Sequence, residues 1–183
     1  MKTIKISNFI AKNLNLIVKN IYSYDTKKFD MLIKFLKEIK KNKKKVMIMG
    51  NGASASIANH FATDLTKIAG IRTINFNESN LITCLANDYG YENWLKKAIE
   101  FYGDRKDLII LVSSSGNSKN IVNAARYGNK KKIKIITFSG FNKDNPLRKL
   151  GNVNFWVNSK KYNQVELVHL TWLLLVVDFL KKK

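Results

Sequence analysis

Val46-Met47-Ile48-Met49-Gly50-Asn51-Gly52-Ala53-Ser54-Ala55-Ser56 and Leu108-Ile109-Ile110-Leu111-Val112-Ser113-Ser114-Ser115-Gly116-Asn117-Ser118 share one grammar. Each opens on an unbroken apolar run, passes into small and polar residues, and leads into a segment with helical spacing. Apolar runs without alternation suit strands covered on both faces, the habit of parallel sheets. Three further β-compatible runs, at 71–74, 133–138 and 153–157, stand apart from these by stretches long enough for helices. The βαβα order predicts an α/β fold, a three-layer αβα sandwich around a five-stranded parallel sheet.

Outward from that core, Ile6, Ile10, Leu14, Ile17 and Ile21 recur at helical spacing, and Phe29, Leu32, Ile33 and Leu36 repeat the pattern after a break at 22–27. These predict a pair of N-terminal helices over 1–42, used in oligomerisation, ahead of a core and C-terminal helix over 43–183. The segment 165–180 is apolar almost all round, too short and interrupted for the roughly 20 residues of a membrane span. Its many apolar sides cannot all face one sheet, so it predicts a subunit interface and a homo-oligomer, dimer or tetramer. With no repeat and no Pro-, Gly- or Ser-rich linker, the chain reads as one domain, 1–183.

The 183 residues carry 33 basic and 13 acidic side chains, a net charge of +20. Only four of the basic residues are arginine (Arg72, Arg105, Arg126, Arg148), whereas base-specific contacts favour arginine. The charge therefore reads first as a solvated lysine surface, with nucleic acid the minor reading. The runs at 40–45 and 130–132 precede apolar strands, where lysines act as gatekeepers. One cysteine, Cys84, excludes an intramolecular disulfide and a Cys/His zinc finger and fits a reducing compartment. The first 20 residues lack the continuous apolar core of a signal peptide, so a cytoplasmic, non-membrane protein is expected.

In an open parallel sheet, ligands bind beyond the carboxyl ends of the strands. Both quoted loops fall there. Four serines within six residues of the second loop exceed what one helix cap needs, and with backbone N–H groups they make a donating anion cradle. The first loop also satisfies the weak dinucleotide pattern G-x-G-x-x-A, but the acidic residue such a site wants about 20 positions on is missing, since 70–75 reads Gly-Ile-Arg-Thr-Ile-Asn. A sugar phosphate is expected rather than a nucleotide cofactor.

Four blocks in order sharpen this: Gly50 to Ser54 with His60-Phe61-Ala62-Thr63-Asp64-Leu65-Thr66; Ala86-Asn87-Asp88-Tyr89-Gly90-Tyr91-Glu92; Ser113 to Ser118 with Asn120-Ile121; and Val165-Glu166-Leu167-Val168-His169. Over nearly its whole length the chain resembles the SIS-domain (sugar isomerase) proteins of the phosphoheptose isomerase group. The resemblance implies a flavodoxin-like sandwich, helices exchanged between subunits, and interconversion of sedoheptulose 7-phosphate with an aldoheptose 7-phosphate through an enediol. It implies phosphate contacts from Ser113, Ser114, Ser115 and Ser118, sugar contacts from Asn51, Gly52 and Ser54, and Asp88 in the pocket. Asp64 stands where the group places its base, usually Glu. Some relatives hold zinc at positions matching His60 and Asp64, one helix turn apart, with two residues of the last helix; here those are Glu166 and Leu174.

Leu174 departs from the pattern, because the isomerases have histidine there and leucine neither donates nor accepts a proton. His169, five residues earlier, points elsewhere on a helix. The remaining groups leave two arrangements open: His60, Asp64 and Glu166 as a metal set, or Asp64 as base with Asp88 or Glu166 as acid help. The alternative is a non-catalytic module that binds a sugar phosphate and regulates a macromolecular partner. Tyr89, Tyr91 and Trp94 read as packing, and Cys84 as a small core residue.

Overall fold

The computed structural model describes residues 5–181; Met1 to Ile4 and the final two lysines lie outside the described residues. Two antiparallel-capable amphipathic helices, α1 (Ile6–Ile21) and α2 (Thr26–Lys41), precede the alternating core. Asp25 caps α2, its carboxylate accepting from the Lys28 amide. Then follow β1 (Val46–Met49), α3 (Ala53–Lys67), β2 (Thr73–Ile74), α4 (Ser79–Tyr89), α5 (Trp94–Tyr102), β3 (Leu108–Ser113), α6 (Lys119–Lys130), β4 (Lys134–Ser139), a 3-10 turn at Arg148–Leu150, β5 (Val153–Trp156) and α7 (Tyr162–Lys181). Every pairing is parallel, in the order β2-β1-β3-β4-β5. That is the doubly wound flavodoxin-like order, and its direction reverses between β1 and β3.

The unbroken apolar runs divide by strand alternation into two cores. Val46, Ile48, Leu108, Ile110, Ile136 and Phe138 face α2, α3 and α7. Met47, Met49, Ile109, Leu111 and Ile135 face the layer of α4, α5 and α6. Side chains of period two between two helical layers explain why no polar residue interrupts the run.

The second strand is shorter than its apolar run suggests. Ile71 is buried, but its amide closes the turn after α3 by donating to the Leu65 carbonyl, which leaves Thr73 and Ile74 to pair with β1. By length and composition α7 is apolar enough to cross a membrane, longer than the sequence suggested. In the fold it is a core helix: Val165, Val168, Trp172, Leu173, Val176 and Val177 are buried against the sheet, and the Trp172 indole donates to the Ile21 carbonyl.

Candidate functional site

The reversal of strand order opens a crevice beyond the carboxyl ends of β1 and β3, and both small-residue loops line it. At Gly50 a Cβ would lie 2.5 Å from the backbone of Ser54, so α3 can start tight over the strand end only on a glycine. Gly52, with φ +53°, occupies the N-cap position. Asn51 then projects across the crevice to Asn120 on α6. The two amides bond each other twice, each Nδ2 donating to the other's Oδ1 at 2.9 Å. Asn120 is 2% exposed, so this pair fixes the spacing of the two loops from below.

The serine loop turns at Gly116, φ +66°, where a Cβ would sit 2.0 Å from Asn145 Oδ1. Asn145 in turn is buried, donates to Ser139 Oγ and the Asn142 carbonyl, and accepts from the Arg148 amide. Within the loop the Ser113 and Ser118 hydroxyls stand 3.4 Å apart, Ser115 Oγ accepts from the Asn117 amide, and Ser114 donates to Glu166 Oε1 at 3.0 Å. Ser118 occupies the N-cap of α6 yet makes no side-chain cap hydrogen bond. The Ser118 hydroxyl is therefore not spent on capping, and the positive end of the α6 dipole faces the cradle that the loop forms. A cleft of about 630 Å³ runs past Asn51, Ser118 and Asn120 to Tyr89, Tyr91 and Glu92 of the α4–α5 turn. Tyr89 and Tyr91 are exposed on this wall, and only Trp94 of the three aromatics is packed inside.

Each acidic candidate has a partner of its own. Asp64 accepts from or pairs with His60, Oδ2 to Nε2 3.1 Å, on the face of α3. Eleven residues from the helix start put Asp64 roughly 16 Å along the helix from the glycine turn. Asp88 lies in the last turn of α4, where it accepts from Asn87 Nδ2 and stands 3.8 Å from Cys84 Sγ. Cys84 is exposed, contrary to the expectation of a core residue, because α4 buries only Leu85. Glu166 finds the partner its apolar helix demanded in Ser114. His169 is fully buried: Nε2 faces the Ser139 carbonyl at 3.1 Å, so that nitrogen carries the proton, and Nδ1 has no hydrogen-bond partner. Burial pushes its pKa down to about 4, against a smaller upward pull from that hydrogen bond. It is a structural histidine.

For zinc, His60 and Asp64 offer two donors, while Glu166 is turned to the serine loop. Among the described residues no group of three His, Cys, Asp or Glu side chains comes together. A tetrahedral ion at His60 and Asp64 needs its remaining donors from outside this set.

The SIS domain family matches residues 9–140. A phosphoheptose isomerase of Helicobacter pylori is 33% identical over 152 residues, spanning 79% of this chain and 78% of that protein. The chain belongs to the phosphoheptose isomerase family of SIS-domain proteins. A family member from Fusobacterium nucleatum is 31% identical over 86% of this chain and 91% of its own length. In fold, a phosphoheptose isomerase from Francisella tularensis superposes with a TM-score of 0.88 at 21% identity, each chain covered completely. Asn145 was not read from the sequence, and Asn120 and the 86–92 block carried the resemblance without the contacts that only folding gives them.

Proposed function

We propose that this sugar-phosphate isomerase interconverts sedoheptulose 7-phosphate and an aldoheptose 7-phosphate. The observation that carries the reading is the serine loop: the Ser113 and Ser118 hydroxyls 3.4 Å apart, with Ser118 making no cap bond at the amino end of α6, in the crevice of the sheet. Such a cradle binds a phosphate remote from the reacting carbons and uses that binding energy to place them. The cleft beyond it offers Asn51 and Glu92 to the hydroxyls of a sugar chain.

The chemistry needs one proton moved between neighbouring carbons. Asp64, held by His60, takes the C1 proton of the ketose while a second group protonates O2, giving the enediol. Loss of the O1 proton and return of a proton to C2 complete the aldose, with no co-reactant. Glu166, linked to the phosphate cradle through Ser114, and Asp88 are the acid candidates. Asp64 lies far down α3 from the cradle, so the reading carries with it a homo-oligomer in which copies complete one another's sites. The apolar surface for that assembly exists: α1 buries no residue and exposes Ile6, Phe9, Ile10 and Leu14, and α7 exposes Leu167 and Leu175. The second reading, a sugar-phosphate-binding module without turnover, rests on Leu174.

Calorimetry tests the cradle. Sedoheptulose 7-phosphate is expected to bind the protein, with Ser113→Ala/Ser118→Ala weakening it at least about tenfold and unphosphorylated sedoheptulose not binding. Equal binding of both sugars would reject the serine loop as a phosphate site.

A further inference from the structure

We infer that the amino-terminal end of the sheet, opposite the sugar-phosphate crevice, docks the phosphate backbone of a nucleic acid strand. This goes beyond the isomerase reading and stands or falls separately from it. In an all-parallel sheet every loop entering a strand gathers at one end, and here the loops entering β1, β3 and β4 each place a lysine in left-handed backbone: Lys43 at φ 53°, Lys106 at 73° and Lys132 at 57°. That conformation favours glycine or asparagine over a side chain such as lysine. The three strands are neighbours in register, with Val46 opposite Leu108 and Leu108 opposite Lys134. Lys106 and Lys132 each stand two residues ahead of the paired Leu108 and Lys134, and Lys43 three ahead of Val46, so the turns set a row of lysines across the end of adjoining strands, which lie about 4.8 Å apart.

A groove of about 670 Å³ lies against this row, walled by Arg105, Lys106, Lys131, Lys132 and Lys134, with Phe35 beside them. Of the carboxylates here, Asp104 and Asp107 share Lys45, each at 2.7 Å, so one of their two charges is offset, and the other stands with Glu38 against five groove cations. A concave groove suits a chain of phosphates better than a flat bilayer. Lysine, a point charge without the planar fork of arginine, suits contact with phosphates rather than reading of bases. The predicted binding is independent of sequence and steeply salt-dependent.

Fluorescence anisotropy with a labelled thymidine oligonucleotide of about 20 residues tests this at rising salt. Lys106→Gly/Lys132→Gly removes two cations while giving each turn the residue its backbone favours, so the variant is expected to melt no lower than the parent. It is expected to bind at least about tenfold more weakly near 50 mM salt, with a salt slope shallower by about 1.4. Lys143→Glu/Lys160→Glu, at the opposite end of the sheet, alters more charge and is expected to change affinity less than about threefold. Equal weakening by the two variants would overturn the inference in favour of diffuse attraction by the net charge. Failure of the oligonucleotide to bind, or tighter binding to phosphatidylserine vesicles than to it, would overturn it equally.

Discussion

Asn51 and Asn120, 69 residues apart, share a reciprocal pair of 2.9 Å amide hydrogen bonds across the crevice between β1 and β3. The pair ties the glycine turn to the helix that carries the serine cradle. Asn120→Ala leaves the Asn51 amide unsatisfied in a half-buried place, at a cost of about 1–2 kcal/mol in unfolding free energy. Because the two loops then move independently, KM for the sugar phosphate is expected to rise at least about tenfold. Chemical denaturation and steady-state kinetics read the two effects separately; an unchanged KM would show that the loops hold their spacing without the pair.

Gly116 turns the cradle. An alanine there meets Asn145 at 2.0 Å and must adopt φ +66°, so the Asn145 hydrogen bonds or the loop must yield. Gly116→Ala is expected to destabilise the fold by about 2–4 kcal/mol and to abolish measurable phosphate binding. Retention of parental affinity in calorimetry would mean the loop reshapes without cost.

Glu166 places a carboxylate against the hydroxyl of Ser114, and that charge opposes a phosphate in the same loop. Gln in its place still accepts from Ser114 Oγ but removes the repulsion. Glu166→Gln is therefore expected to tighten binding of the sugar phosphate several-fold while lowering kcat, since the amide cannot transfer a proton. Loosened binding would show that the carboxylate helps hold the ligand.

His169 makes stability depend on pH. Its folded pKa, pushed down to about 4, lies below the ordinary value of 6.5, so the unfolded chain binds the proton more readily. The neutral, buried imidazole contributes fully above pH 6.5; its contribution is lost as pH falls from there toward 4. The span corresponds to about 3 kcal/mol. His169→Gln keeps a donor for the Ser139 carbonyl and is expected to remove that part of the decline between pH 7 and 4 in urea titrations. Identical pH profiles for parent and variant would contradict the assignment.

Local signals carried the architecture. The runs Val46–Met49 and Leu108–Ser113 announced buried parallel strands because both faces are covered, and the glycine and serine punctuation after them marked the ligand crevice. What depended on distant pairing was not legible. The Ser114–Glu166 bond joins residues 52 apart, and the α4–α5 wall is brought beside Asn51 only by packing. Ile71 looked like strand because burial alone cannot tell a strand residue from one that closes a helix. Cys84 looked like core because one sequence cannot show that α4 buries only Leu85. The His60, Asp64 and Glu166 spacing showed a shared helix face for the first two, but the partner of Glu166 depends on how α7 meets the serine loop.

Asp64 as the base is the central claim, and proton exchange at carbon reads it directly. Purified protein with sedoheptulose 7-phosphate in deuterated water, followed by NMR with and without added zinc, is expected to give aldose together with deuterium at the carbons beside the carbonyl. Asp64→Asn is expected to abolish both while leaving binding of the sugar phosphate intact. Turnover and exchange undiminished in Asp64→Asn, or binding by the parent protein with neither turnover nor exchange, would contradict the account.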